Sequence, residues 1–163
     1  MLRRVVDSNV AIVANGRSTN ATPTCRLNAI ERLREILTEG QIVVDEAGEM
    51  VEEYKRYCEP SGEPGVGDRF FREILMNYEG KILRVTLAKD GDGNFVDFHA
   101  DPALTGFDTD DIKFAAAARN SNTPVLNAID SDWLDYRIPL ESNGIRIEFV
   151  CGLNNSAWFI PYD

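Results

Sequence analysis

Apolar residues recur along the chain in two alternating rhythms, short solid runs and longer stretches with a helical period. Residues 2–6 form a β-prone run that ends at Asp7, and a polar loop follows over residues 15–22. Pro23-Thr24 opens an amphipathic helix with Leu27, Ile30, Leu33 and Ile36/Leu37 at helical spacing, and Gly40 stops it. Residues 41–44 read as a second strand, with Asp45 as N-cap of a helix carrying Met50, Val51, Tyr54 and Cys58. The Pro- and Gly-rich residues 58–67 form a loop. A helix over residues 68–78 bears Phe70, Phe71, Ile74 and Leu75, and residues 81–87 form a strand. Residues 90–106 are irregular. Asp108 then caps an alanine-rich helix over residues 112–119, whose run from Ala115 to Ala118 allows close packing on a sheet. Residues 124–129 form a strand, residues 130–136 begin a helix, and residues 145–151 form the last strand. Strands alternating with helices predict a three-layer α/β/α sandwich around a central, mainly parallel sheet. With no repeats and no long linker, residues 1–163 are expected to form one domain.

Composition narrows what such a domain does. Apolar residues make up 44% of the chain, which excludes a disordered tail protein. No apolar run approaches the roughly 20 residues that span a bilayer, so no membrane association is expected. The N-terminus shows no signal peptide, and the chain reads as cytoplasmic. Cys25, Cys58 and Cys151 form no close pair and are odd in number, so the expected state is three reduced, partly buried thiols. The single histidine, His99, leaves no room for His-based zinc chemistry or a Ser/His triad. A hydrolase built from this chain therefore works with carboxylates and metal. The net charge of −10 weighs against nucleic acid as a partner, although bound divalent ions would cancel part of it locally.

Four acids stand where such chemistry needs them. Asp7 closes the first strand in Val5-Val6-Asp7-Ser8-Asn9, and Asp130 ends a late strand in Asn127-Ala128-Ile129-Asp130-Ser131-Asp132-Trp133. In parallel α/β sheets the site lies beyond the carboxyl ends of the strands, where both fall. Asp111 lies at the opening of the alanine-rich helix, and Glu53 on the helix after the second strand. Mg²⁺ and Mn²⁺ favour oxygen ligands, and two ions about 4 Å apart stabilise both oxygens of an in-line phosphoryl displacement.

This order of motifs, from Val5 to Trp133, resembles the PIN-domain nucleases: Asp after strand one, Glu on the next helix, Asp opening a helix, then Asp-x-Asp-aromatic after a late strand. The stretch Asp111-Ile112-Lys113-Phe114-Ala115-Ala116-Ala117-Ala118, followed by Asn127 to Trp133, carries most of the likeness. The resemblance implies a metal-dependent endonuclease, RNA ahead of DNA as substrate, and cleavage leaving a 5′-phosphate and a 3′-hydroxyl. It assigns Asp7, Glu53, Asp111 and Asp130 to catalysis and, with Asp132, to Mg²⁺ or Mn²⁺. It also implies a possible antitoxin or other protein partner, a role in defence or RNA processing, and a homodimer. Asn9 would orient Asp7 or touch phosphate, and Asn127 would supply the polar group that Ala128 lacks.

Plainer readings stand beside these. Glu49, Glu52 and Glu53 also describe a solvated helix face, and Glu49, four residues from Glu53 and on the same side of the helix, is the alternative to it as the helix ligand. Asp108, Asp110 and Asp111 also describe a helix cap. Asp90-Gly91-Asp92-Gly93-Asn94 reads as a turn, because Phe95 and Asp101 break the calcium-loop pattern. His99 reads as an ordinary surface or packing residue, and Trp133, Trp158 and Tyr162 as core or docking residues. Arg17, Lys55, Arg56, Arg69, Arg72, Lys113 and Arg119 are candidate phosphate contacts. A phosphatase of the haloacid-dehalogenase type is disfavoured, since Asp7-Ser8-Asn9-Val10 lacks the second Asp of that motif. The alternative function is a catalytically weak or inactive PIN-like module that binds a protein partner.

Overall fold

The computed structural model describes residues 1–17, 20–77 and 80–161; Tyr162, and residue 78 at the end of the helix expected over 68–78, lie outside these. Five strands, β1 (Arg3–Val6), β2 (Gln41–Asp45), β3 (Ile82–Val85), β4 (Val125–Asn127) and β5 (Ile147–Phe149), form one sheet in the order β3-β2-β1-β4-β5. Every pairing is parallel, with Val5 opposite Val125 and Val6 opposite Leu126 at the centre. Val5, Val6, Val43, Val44, Val125 and Leu126 are fully buried, which is why these strands read as solid apolar runs.

Seven α-helices among the described residues are consistent with a three-layer α/β fold: α1 (Ser8–Ala14), α2 (Pro23–Glu39), α3 (Glu49–Tyr57), α4 (Val66–Met76), α5 (Ile112–Ser121), α6 (Ser131–Asp135) and α7 (Arg137–Ser142). None is long and apolar enough to cross a membrane. Thr22 caps α2 by accepting from the Cys25 N–H, with Pro23 at its first position. Gly40 caps its end, in extended backbone, where a β-carbon would meet the Leu2 carbonyl oxygen at 2.3 Å. Helix α5 lies along β1, β2, β3 and β4, and its buried residues Ala115–Ala118 let it come close. Helices α1, α2 and α4 pack on one another.

Two elements escape the sequence pattern. Ser8–Ala14, a stretch that pattern assigns to no element, is α1; Ser8, Val10, Ala11, Val13 and Ala14 are all buried, so no polar face marks a period. Arg137–Ser142 is likewise helical despite Pro139. Asp45 closes β2, and its carboxylate accepts from the Glu49 and Met50 N–H groups at 2.9 Å each, while Gly48 takes the cap position. The 90–94 segment is a turn, with Asp90 Oδ1 accepting from the Asp92 and Asn94 N–H groups.

The cysteines require a correction. Cys25 in α2 and Cys151 just after β5 form a disulfide, so these two are not reduced thiols. Their sequence separation of 126 hid the pair, and only the fold brings their Cα atoms to 5.1 Å. Cys58 is free and buried.

Candidate metal centre

The strand order reverses between β1 and β4: β2 and β3 follow on one side of β1, β4 and β5 on the other. A crevice at that switch point, beyond the carboxyl ends of the strands, is where open α/β sheets place their ligands. Asp7 leaves the end of β1 and Asp130 follows the end of β4. Asp111 reaches the same place from a 3-10 turn, Thr109–Asp111, that runs into α5. One carboxylate oxygen from each of Asp7, Asp111 and Asp130 lies within 4.8 Å of the others.

Each aspartate is held by its local backbone. Asp7 caps α1, its Oδ1 accepting from the Asn9 N–H at 2.9 Å, while its Oδ2 accepts from the Trp133 indole N–H at 2.7 Å. Asp130 caps α6 by accepting from the Asp132 N–H at 3.0 Å. The side chain of Asn9 fastens the two ends together. Its Oδ1 accepts from the Ala128 and Ile129 N–H groups at 3.0 and 2.9 Å, and its Nδ2 donates to Asn127 Oδ1 at 2.9 Å. Asn127 in turn donates to the Asp130 carbonyl at 3.1 Å, so it supplies polar contacts beside Ala128.

Asp111 differs from the other buried acids. Asp68, fully buried near α1, accepts from Asn15, Arg17 and the Glu59 and Gly65 N–H groups. Asp111 is 7% exposed, yet its buried Oδ2 has no hydrogen-bond donor. Burial, and then the charges of Asp7 and Asp130, push its carboxyl up to about 10. Burial, with Asp130 adding to it, raises Asp7 to about 6 against the opposing bonds from Asn9 and Trp133. Asp132 is also raised, by burial and then by Asp130. Such a group of acids resists full ionisation without a cation among them.

Asp132 belongs to a second convergent group with Asp108 and Asp111, and its Oδ2 accepts from the Asp108 N–H at 3.2 Å. Glu53 belongs to neither group among the described residues. It is buried beside them, Oε2 accepting from Ser8 Oγ at 2.5 Å and Oε1 paired with Lys113 Nζ at 2.8 Å. Glu49 is more exposed and pairs with Lys89.

Of the other candidate cations, Arg17 pairs with Asp68, Arg69 with Glu73, and Arg119 bonds His99. Trp133 is fully buried, as the core reading has it, but its indole also grips Asp7, a contact that only its nearness to Asp130 in sequence hints at. Trp158 is buried and donates to the Gly152 carbonyl. Thr109 and Ile112, which flank Asp111, help line a cavity of about 760 Å³ together with Phe95, Phe98 and His99. No family model matches the chain, and no curated protein or solved structure matches it either.

Proposed function

We propose that the protein is a divalent-metal-dependent phosphodiester hydrolase, a PIN-type nuclease that cleaves RNA in preference to DNA. The observation that carries this reading is Asp111, whose carboxylate converges with two more aspartates at the switch point of the sheet and has a buried oxygen without a donor. The other buried acids among the described residues are hydrogen-bonded, as at Asp68, so an orphaned oxygen here calls for a partner that is not part of the chain. An all-carboxylate donor set suits Mg²⁺ or Mn²⁺ and suits softer metals poorly.

In this reading Asp7, Asp111 and Asp130 hold the ion, with Asp132 and Asp108 on the adjoining side. A divalent ion bound there would supply charge stabilisation for phosphoryl displacement and a more acidic attacking water. Trp133 and the Asn9 backbone fix the Asp7 carboxylate, while Asn9 and Asn127 lock the turn that presents Asp130. That rigidity keeps the ligands from rotating apart under their mutual repulsion.

The net charge of −10 favours a second reading, a PIN-like module that binds a protein such as an antitoxin without cleaving anything. A disulfide persists most readily outside a reducing cytosol, so the cytoplasmic setting loses the support of reduced thiols. The deciding experiment incubates the protein with labelled single-stranded RNA and DNA in Mn²⁺, Mg²⁺ or EDTA, beside folded Asp7→Asn and Asp130→Asn variants. Cleavage that needs the ion and disappears in both variants is the expected result. Intact substrate in every lane, together with no stabilisation by Mn²⁺, would move the binding module to first place.

A further inference from the structure

The carboxylate of Glu53 is already spoken for. Its side chain is 9% exposed, and both oxygens carry a donor, Ser8 Oγ on one and Lys113 Nζ on the other. Lys113 lies two residues beyond Asp111 at the start of α5. Its ammonium, 14% exposed, also donates to the Asp110 carbonyl at 2.6 Å and stands 5.1 Å from the centre of the Phe114 ring. The lysine is thus fixed on three sides, by a carboxylate, a carbonyl and an aromatic face. The contrast with Asp111 is direct, since there an equally buried oxygen has no donor at all.

Resting on the metal-dependent reading above, we infer that Lys113 is a resident cation that neutralises Glu53 and withdraws it from metal ligation, leaving the ion to the aspartates. A divalent ion that recruited Glu53 would have to break the ion pair and strand the lysine charge in a largely buried place, which a protein interior resists. An ion among Asp7, Asp111 and Asp130 strands no charge, because the donors on Asp7 and Asp130 are neutral N–H groups and Asp111 Oδ2 has none. Lys113 is a positioning residue in this scheme. It sets which acids are free to bind, and it holds Glu53 as a fixed, neutralised wall beside them.

The test is Mn²⁺ binding to the intact chain, followed by calorimetry and by the electron-spin signal of free Mn²⁺, with no turnover required. Glu53→Gln should keep Mn²⁺ affinity within about threefold of wild type, whereas Asp111→Asn should lose about tenfold or more. Lys113→Gln releases Glu53, and the protein should then bind Mn²⁺ more tightly or take up an additional ion; Lys113→Arg should restore wild-type binding. The double variant Glu53→Gln/Lys113→Gln replaces the ion pair by neutral groups of similar size and should fold and bind like Glu53→Gln. A loss of affinity in Glu53→Gln as large as in Asp111→Asn would make Glu53 a ligand and overturn the inference while leaving the metal site standing. If the wild-type protein takes up no Mn²⁺, the metal-dependent reading itself falls, and the inference with it.

Discussion

At the scale of single residues, the site gathers acids whose ionisation the fold opposes. Asp7 and Asp111 both titrate above the ordinary 3.8 in the folded protein, at about 6 and about 10. The folded state therefore holds more protons than the unfolded one across that window, and stability falls as pH rises. The metal-free protein should accordingly be most stable with respect to these groups below about pH 4, and lose stability as pH climbs through 6 and on toward 10. Thermal unfolding at a series of pH values checks this, and a curve rising from pH 5 to 8 would contradict it. Added Mn²⁺ should flatten the dependence, because it binds only the ionised, folded form. Asp111→Asn should raise metal-free stability by about 0.5–2 kcal/mol and abolish the gain from Mn²⁺, the exchange of stability for function that buried acids impose. Unchanged stabilisation by Mn²⁺ in that variant would remove Asp111 from the ligand set.

At the scale of elements, the site depends on how closely helices approach one another. Gly67 in α4 lies so near α1 that a β-carbon would meet the Ala11 carbonyl oxygen at 2.2 Å and its carbon at 2.8 Å. Gly67→Ala should push α4 off α1, the helix whose cap is Asp7, and destabilise the protein by about 1–3 kcal/mol in denaturant unfolding; a neutral result would mean that the two helices separate freely. Much of this scaffold was legible in the sequence. The rhythm of solid runs and helical stretches located all five strands to within a few residues: β2 and β4 are almost wholly buried, and the half-buried edge strands β3 and β5 still carry Ile82, Leu83, Ile147 and Phe149. What was not legible has physical causes. Helix α1 is buried nearly all round and shows no period, and the α7 segment carries a proline inside a short amphipathic run. The sequence placed Asp7 and Asp130 at strand ends, but their meeting with Asp111 depends on β4 lying directly beside β1, which no local pattern records. The Glu53–Lys113 pair spans 60 positions and was equally invisible.

At the scale of the whole molecule, one covalent link joins the first quarter of the chain to its end. The Cys25–Cys151 disulfide closes a loop over a sequence separation of 126, and so restrains most of the unfolded chain. Reduction, or Cys25→Ser/Cys151→Ser, should lower stability by about 2–5 kcal/mol, measured as a shift in denaturant midpoint with and without reductant. No change would mean that the unfolded chain is restrained by something else. Among the described residues, none of the acids proposed to hold the ion bonds to Cys25 or Cys151, although the Val150 N–H beside Cys151 donates to the Asn127 carbonyl at 3.0 Å. The reduced protein, as long as it stays folded, should therefore bind Mn²⁺ as the oxidised one does.

The bond from the Trp133 indole to Asp7 gives the molecule a built-in optical reporter. The chain has two tryptophans, and the other, Trp158, packs against Phe149 and bonds the Gly152 carbonyl, elsewhere in the fold. A change in charge at Asp7 alters the field along the one indole that touches it, so ultraviolet emission should follow occupancy of the site without any attached dye. Mn²⁺ should quench and Mg²⁺ should shift that emission in wild type and in Trp158→Phe, and neither should do so in Trp133→Phe. A response that survives the loss of Trp133 would place the ion somewhere other than beside Asp7.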